Sequence, residues 1–322
     1  MRARDIGEFG MIERIRTLFR SAPDIPVWIG DDSAVVRPFE GDTLITTDSM
    51  VEGVHFLSPW DAYFELGQKL VVAGCSDISA MGGLARYFLL TLVIPAETNL
   101  DVLERFLRGI AKKSEELGIY IIGGNISGGE RIEAHITVLG ETKKPITRSG
   151  ARVGDIIYVT GKLGGTRAGL EILMNPKIDL DERIKKGLVA RFLNTSGQIF
   201  TGKKLAETGC ISAMIDISDG LIADINHIIE LSGVGAVLDL KRIPIYEGVI
   251  EYCAKVGKNP SLFASVSGEE YELLFTVRGD CEKEFLQHLR DFDCPITRIG
   301  HIKRGSGLEG IEGVEGGGFV HW

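Results

Sequence analysis

The chain has 322 residues, 44% of them hydrophobic and 25% charged, the make-up of an ordinary soluble globular protein with room for two cores. Its net charge of −9, from 36 basic and 45 acidic residues, argues against partners such as nucleic acid or an anionic membrane. No run approaches the ~18 apolar residues of a membrane span. Asp5 and Glu8 follow Arg2 and Arg4 where a signal or transit peptide would turn apolar, so the expected compartment is the cytoplasm.

Residues 5–20 form a predicted helix with Phe9, Ile12, Ile15 and Phe19 near one face. A short strand is expected at 43–47, a helix at 66–81 stopped by Gly82-Gly83, and an apolar strand at 87–94 ended by Pro95. An amphipathic helix at 99–117 closes on Gly118. A strand at 119–122 then leads into Gly123-Gly124-Asn125, and a half-buried strand follows at 131–139. The polar segment 141–154 breaks the pattern and sets the expected domain boundary, giving domains 1–148 and 149–322.

The second half is built in the same style. A strand at 156–160 meets Gly161, Gly164 and Gly165 before a helix, and helices follow at 182–193 and 198–208. A strand at 213–215 enters Asp216-Ile217-Ser218-Asp219-Gly220, which opens a helix to Ser232. Strands near 235–240, 271–277 and 296–302 surround helices at 245–256 and 280–290, and the Gly/Glu-rich 305–318 reads as a loop. The fold class is α+β, with two mixed α/β domains.

Five cysteines (Cys75, Cys210, Cys253, Cys281, Cys294) form no Cys-x-x-Cys pair, so reduced, mostly buried thiols are expected and zinc is not. Two nucleotide motifs fail on context. Gly197 to Lys203 resembles a P-loop, but Lys204 stands where a magnesium-binding Ser/Thr belongs, inside a helical pattern. Gly305 to Gly310 has the dinucleotide GxGxxG spacing but opens no helix.

The acids are more informative. They fall in short clusters flanked by glycine or small polar residues, several directly against apolar runs, where an unpartnered carboxylate costs several kcal/mol. Hard divalent cations bridging to phosphate are their natural partners. Asp77 is the sharpest case, because it interrupts an apolar, small-residue helix, where a metal role accounts for it better than a cap does. Taken alone, Asp31 is equally a turn or capping aspartate, Asp219 a helix cap, Arg148 a solvated linker residue, His55 a structural histidine and Phe319 an ordinary packing aromatic.

The blocks come in a distinctive order: Gly30-Asp31-Asp32-Ser33-Ala34, Thr46-Thr47-Asp48, Gly53-Val54-His55-Phe56 and Ser76-Asp77-Ile78-Ser79-Ala80-Met81-Gly82-Gly83. Then follow Gly123-Gly124-Asn125, Arg148-Ser149-Gly150-Ala151, Ile215-Asp216-Ile217-Ser218-Asp219-Gly220-Leu221 and Gly268-Glu269-Glu270-Tyr271-Glu272-Leu273-Leu274-Phe275. Over nearly the whole chain this series resembles the thiamine-monophosphate kinase family, part of the ATP-binding superfamily that includes aminoimidazole-ribonucleotide synthetase. The resemblance implies direct transfer of the ATP γ-phosphate to thiamine monophosphate with several Mg²⁺ ions. It also implies an N-terminal ATP-binding domain through which two copies dimerise.

By the same resemblance the metal ligands are Asp31, Thr46, Thr47, Asp48, Asp77, Asn125, Asp216 and Asp219, while Gly124, Asn125, Arg148 and Ser218 hold ATP. His55, Glu269 and Phe319 contact the acceptor. The chain departs from the family pattern at Asn125 and Glu270, where Asp is usual, and at Ser267, where Gly is usual. No acid–base catalyst is expected: the acceptor is a phosphate monoester with a second pKa near ~6, already largely deprotonated at neutral pH. The competing expectation is another enzyme of the superfamily, a synthetase-like cyclase or a hydrogenase-maturation dehydratase. A non-catalytic nucleotide-binding protein is the alternative from a different class.

Overall fold

The structure, a computed structural model, describes residues 1–313. The chain divides into two compact units, Met1–Ile78 with Gly83–Lys143, and Ser79–Gly82 with the chain from Lys144 onward.

The first unit holds α1 (Ala3–Leu18), β1 (Asp42–Val51), α2 (Tyr63–Ala80), β2 (Leu84–Ile94), α3 (Leu100–Leu117), β3 (Tyr120–Gly128) and β4 (Glu133–Thr142). Its sheet runs β1-β4-β2-β3, with β4 antiparallel to both neighbours and β2 parallel to β3. The helix α3 forms where its periodicity and caps agree. Asn99 Oδ1 accepts the Asp101 amide at 3.0 Å, Gly118 closes the helix at φ +67°, and Leu103, Phe106, Leu107 and Ile110 form its buried stripe. Gly74 lets α2 lie flat on β4, since a Cβ there would sit 2.8 Å from the Ile136 side chain. Leu44, Thr46, Asp48 and Met50 share the α2 side of β1, whereas Ile45, 67% exposed, faces away.

The N-terminal helix departs from expectation. Gly7, at φ +63°, kinks α1, so that Met11 and Ile15 are buried while Phe9 is 85% exposed. Two strands also run longer than their residue types signal: β1 continues through Asp48 to Val51, and β3 runs through Gly123-Gly124-Asn125 rather than ending before them.

The second unit holds β5 (Ile156–Thr160), α4 (Gly165–Met174), α5 (Glu182–Leu193), α6 (Thr201–Glu207), β6 (Ile211–Asp216), α7 (Leu221–Ser232) and β7 (Gly235–Leu238). It continues with α8 (Val249–Val256), α9 (Pro260–Ser265), β8 (Leu273–Val277), α10 (Glu282–His288), β9 (Ile296–Lys303) and β10 (Gly307–Glu309). Strand order is β10-β7-β9-β5-β8-β6, antiparallel except between β10 and β7. The central strands are apolar throughout because both faces are covered. Ile157 and Val159 pack with Leu221, Ile225 and Ile228 of α7, while Ile156 and Tyr158 pack with Phe275 and Phe285 on the other side. A further core joins α4, α5, α8 and α9 through Ala168, Leu188, Tyr252 and Phe263. Neither α9 nor β10 is expected from the sequence pattern, each being too short to show a period.

The cysteine expectation needs one correction. Cys210 and Cys281 form a disulfide with a Cα–Cα distance of 5.6 Å, because the antiparallel pairing of β6 with β8 brings Ile211 opposite Val277. Cys75, Cys253 and Cys294 remain free thiols, and burial pushes them up to about 12, 11 and 11 respectively.

Candidate active site

In the first unit, the pleat of β1 sorts the three clustered ligand candidates. Thr46 and Asp48 lie on the α2 side, where Thr46 Oγ1 donates to Asp77 Oδ2 at 2.6 Å, and the Ser49 amide donates to Asp48 Oδ1 at 2.7 Å. Thr47 projects to the opposite face, where its hydroxyl donates to the Ile136 carbonyl at 3.2 Å and accepts from Thr137 at 3.3 Å. Asp77 is half-buried on α2 between the buried Ser76 and Ile78. Asp31 is exposed in a turn after Gly30, its Oδ1 accepting the Asp32 amide at 2.9 Å.

Gly124 and Asn125 lie on the edge strand β3, opposite Leu90 and Thr91 of β2. At Gly124 the chain has φ +159°, and a Cβ would meet the Leu90 carbonyl oxygen at 1.8 Å, so only glycine fits. An edge position turns part of the strand's backbone polar groups away from the sheet, which suits a phosphate. His55 closes the turn that follows β1. Its Nδ1 accepts the Val51 amide at 3.0 Å, which puts the proton of the neutral ring on Nε2.

In the second unit, β6 delivers Asp216, 3% exposed, at its C-terminal end, and Ser218 and Asp219 follow before α7. The structure adds Asp224, which the sequence reading passed over. It is 1% exposed in the first turn of α7, and its Oδ2 accepts the Gly220 amide at 3.1 Å. Ligand atoms of Asp219, Asp224 and His227 lie within 4.8 Å of one another. Burial, and then the charge of Asp216, push the Asp224 carboxyl up to about 8. The signal was present, because Asp224 interrupts an apolar helix just as Asp77 does.

A buried carboxyl held neutral among like charges fits a divalent cation, whose oxygen ligands Asp216, Asp219 and Asp224 would supply. With a folded pKa above the unfolded one, the group's contribution to stability is complete below about pH 4 and is lost as pH rises towards about 8. EDTA-treated Asp224→Asn, which keeps the acceptor for Gly220, is expected to gain on the order of 3–5 kcal/mol over wild type at pH 8 and little at pH 4. Thermal melts across that range check it; equal slopes for the two proteins exclude a titrating Asp224.

Arg148 is exposed on a segment that runs beside β6, where the Met214 amide donates to the Thr147 carbonyl at 3.2 Å. Glu269 lies against the acidic loop, its amide donating to the Ser218 carbonyl at 2.7 Å. Two of the three positions that depart from the family pattern touch each other: Ser267 Oγ donates to Glu270 Oε1 at 2.8 Å. Phe319 lies outside the described residues. Of the discounted motifs, the Gly197 segment follows α5 rather than a strand, and Gly305 to Gly310 spans a turn and β10.

Residues 30–142 match the family described as AIR synthase related protein, N-terminal domain, and residues 152–312 match its C-terminal domain. The thiamine-monophosphate kinase of Aquifex aeolicus (strain VF5) is 36% identical over 324 residues, covering 100% of each chain. The chain belongs to the thiamine-monophosphate kinase family. Within that family, the enzyme of Escherichia coli O157:H7 is 36% identical over 317 residues, 95% of this chain and 92% of the relative. The solved structure of AaThiL complexed with AMPPCP and TMP superposes with a TM-score of 0.79 at 35% identity, covering 100% of this chain and 99% of that one. The α+β, two-domain architecture expected from the sequence is thereby shown.

Proposed function

We propose that the chain transfers the γ-phosphate of ATP directly to thiamine monophosphate, giving thiamine diphosphate and ADP. The observation that carries this reading is the full-length similarity to a relative whose solved structure holds an ATP analogue together with TMP. Domain 1–148 would hold metal and ATP, and domain 149–322 would complete the nucleotide and acceptor sites.

Several Mg²⁺ ions, when bound, supply the positive charge that lets two phosphate groups approach. Asp31, Thr46, Thr47, Asp48, Asp77, Asn125, Asp216 and Asp219 would hold them, with Asp224 added from its place beside Asp216. For Thr47 the contribution would be a backbone oxygen, given where its hydroxyl lies. Asn125 offers an oxygen without a charge. Gly124, Asn125, Arg148 and Ser218 would position ATP; His55, through Nε2–H, and Glu269, as a hydrogen-bond acceptor, would orient the acceptor together with Phe319. No residue need remove a proton, because the acceptor oxygen is already ionised at neutral pH.

Dimerisation through the first domain is part of the same reading. Ile45 and Leu89 leave apolar surface on the sheet face opposite α2, and β1 and β3 are edge strands. No described helix is long and apolar enough to cross a membrane, and the reading places the enzyme in the cytoplasm, with its ATP.

The test is to incubate pure protein with Mg-ATP and thiamine monophosphate, free thiamine or formylglycinamidine ribonucleotide, and to separate the products by anion exchange. Thiamine diphosphate from the monophosphate alone is the expected result. Product from the ribonucleotide instead would assign a synthetase-like reaction, and ATP binding without turnover a regulatory protein.

A further inference from the structure

Three acids stand within four residues, and two of them are buried where no metal role is assigned. Glu270 is 0% and Glu272 3% exposed, and one nitrogen, Arg191 Nη2 from α5, holds both, at 3.1 Å from Glu270 Oε2 and 3.1 Å from Glu272 Oε1. Glu270 Oε1 also accepts the Gly164 amide at 2.6 Å and Ser267 Oγ at 2.8 Å. Glu272 Oε2 accepts Thr160 Oγ1 and Gln198 Nε2, each at 2.8 Å. The guanidinium lies over the Tyr246 ring at 5.4 Å, and its Nε has no hydrogen-bond partner among the described residues.

Stability does not account for such a cluster. A buried ion triad is commonly no better for folding than well-packed apolar residues of the same volume. Its neighbours suggest what it does. Glu269 and Tyr271 both have left-handed backbones, φ +55° and +52°, which side chains other than glycine adopt only when the surroundings force them. These two strained residues alternate with the two clamped ones. The same stretch is stitched to the acidic loop by three backbone bonds: Glu269 amide to Ser218 carbonyl at 2.7 Å, Tyr271 amide to Ile217 carbonyl at 2.9 Å, and Ile217 amide to Glu272 carbonyl at 2.7 Å.

We infer that Arg191, through Glu270 and Glu272, is a positioning residue that pins the 269–272 segment in its strained form. It thereby sets the place of Glu269 relative to the loop that carries Asp216, Ser218 and Asp219. This rests on the reading of Glu269 as an acceptor contact. Without the clamp, Glu270 and Glu272 seek water, the left-handed residues relax, and the Glu269 carboxylate moves with them. An error of about 1 Å at such a group costs up to about a hundredfold in rate.

The test compares wild type with Glu269→Gln, Arg191→Met, the charge-free triple variant Arg191→Met/Glu270→Gln/Glu272→Gln, and Glu272→Gln alone. The triple variant removes all three charges and leaves no buried carboxylate without its arginine, and the last one lifts a single buried charge. Melting temperature and the KM for thiamine monophosphate are measured for each. Glu269→Gln and both Arg191 variants are expected to raise that KM by about tenfold. Glu272→Gln raises it by about threefold, and the triple variant melts near wild type while its KM stays high.

A KM that returns to wild type together with the melting temperature makes Arg191 merely structural and overturns the inference. A wild-type KM in Glu272→Gln does the same should the Arg191 variants not fold. If Glu269→Gln itself leaves the KM unchanged, Glu269 is no acceptor contact, and the reading beneath the inference falls first.

Discussion

Asp48→Asn is expected to lower phosphoryl transfer to thiamine monophosphate by about 10³-fold or more, equivalent to about 4 kcal/mol of barrier, with the fold intact. The reason lies in where β1 puts this side chain. Asp48 is half-buried on the α2 side of the sheet, two residues from Thr46, which already donates to Asp77. An asparagine preserves the acceptor for the Ser49 amide, which lies at 2.7 Å, so the strand keeps its local bond. What is lost is one negative charge at a position proposed to bridge cations between two polyanions, and the effect belongs in kcat at saturating Mg-ATP. Asp32→Asn, in the exposed turn beside Asp31, serves as the matched change of charge and should turn over at close to the wild-type rate. Circular dichroism and steady-state assays decide it, and wild-type turnover in Asp48→Asn removes that residue from the metal site.

The same β1 shows where sequence reading reaches and where it stops. That Thr46, Thr47 and Asp48 are candidates for the site is legible from their order among the acidic blocks. That they sit mid-strand, with Thr47 turned to the other face, was not, because Ser49 carries no strand signal and the pairing with β4 supplies it. The edge strand β3 is similar: Gly123 and Gly124 read as a strand end, yet the parallel pairing with β2 carries the strand through them. Helices with caps and a full stripe, such as α3, were legible at both ends. The short α9 carried a usable cap, since Asn259 accepts the Ser261 and Leu262 amides ahead of Pro260, but six residues are too few to show a period. Arg191 gave no signal, because an arginine on an amphipathic helix looks the same whether it faces solvent or two buried carboxylates. The left-handed backbones of Glu269 and Tyr271 are likewise written in no residue type; they come from tertiary bonds to Ile217 and Ser218.

The cross-link between Cys210 and Cys281 leads to the second large effect, which falls on stability rather than turnover. Closing a loop of sequence separation 71 removes unfolded-state entropy worth about 4 kcal/mol. Reduction with a thiol reagent, or the double change Cys210→Ser/Cys281→Ser, is therefore expected to lower the melting temperature of the second unit by roughly 10 °C, at 2–4 °C per kcal/mol for a unit of this size. The location favours a large share of that loss. Both cysteines are buried beside Phe275 and Phe285, and the Arg278 amide already donates to the Cys210 carbonyl at 3.0 Å, so the ends of the loop stay together in the folded state without the bond. The folded geometry then changes little on reduction, and the effect comes from the freed unfolded chain. Activity below the melting transition should accordingly remain near wild type, because neither cysteine belongs to the proposed metal, nucleotide or acceptor residues. Calorimetry with and without reductant, paired with a free-thiol titration, reads the outcome. Five titratable thiols in the unreduced, denatured protein would show that the bond does not form, whereas three thiols with an unchanged melting temperature on reduction would show that it forms without stabilising the fold.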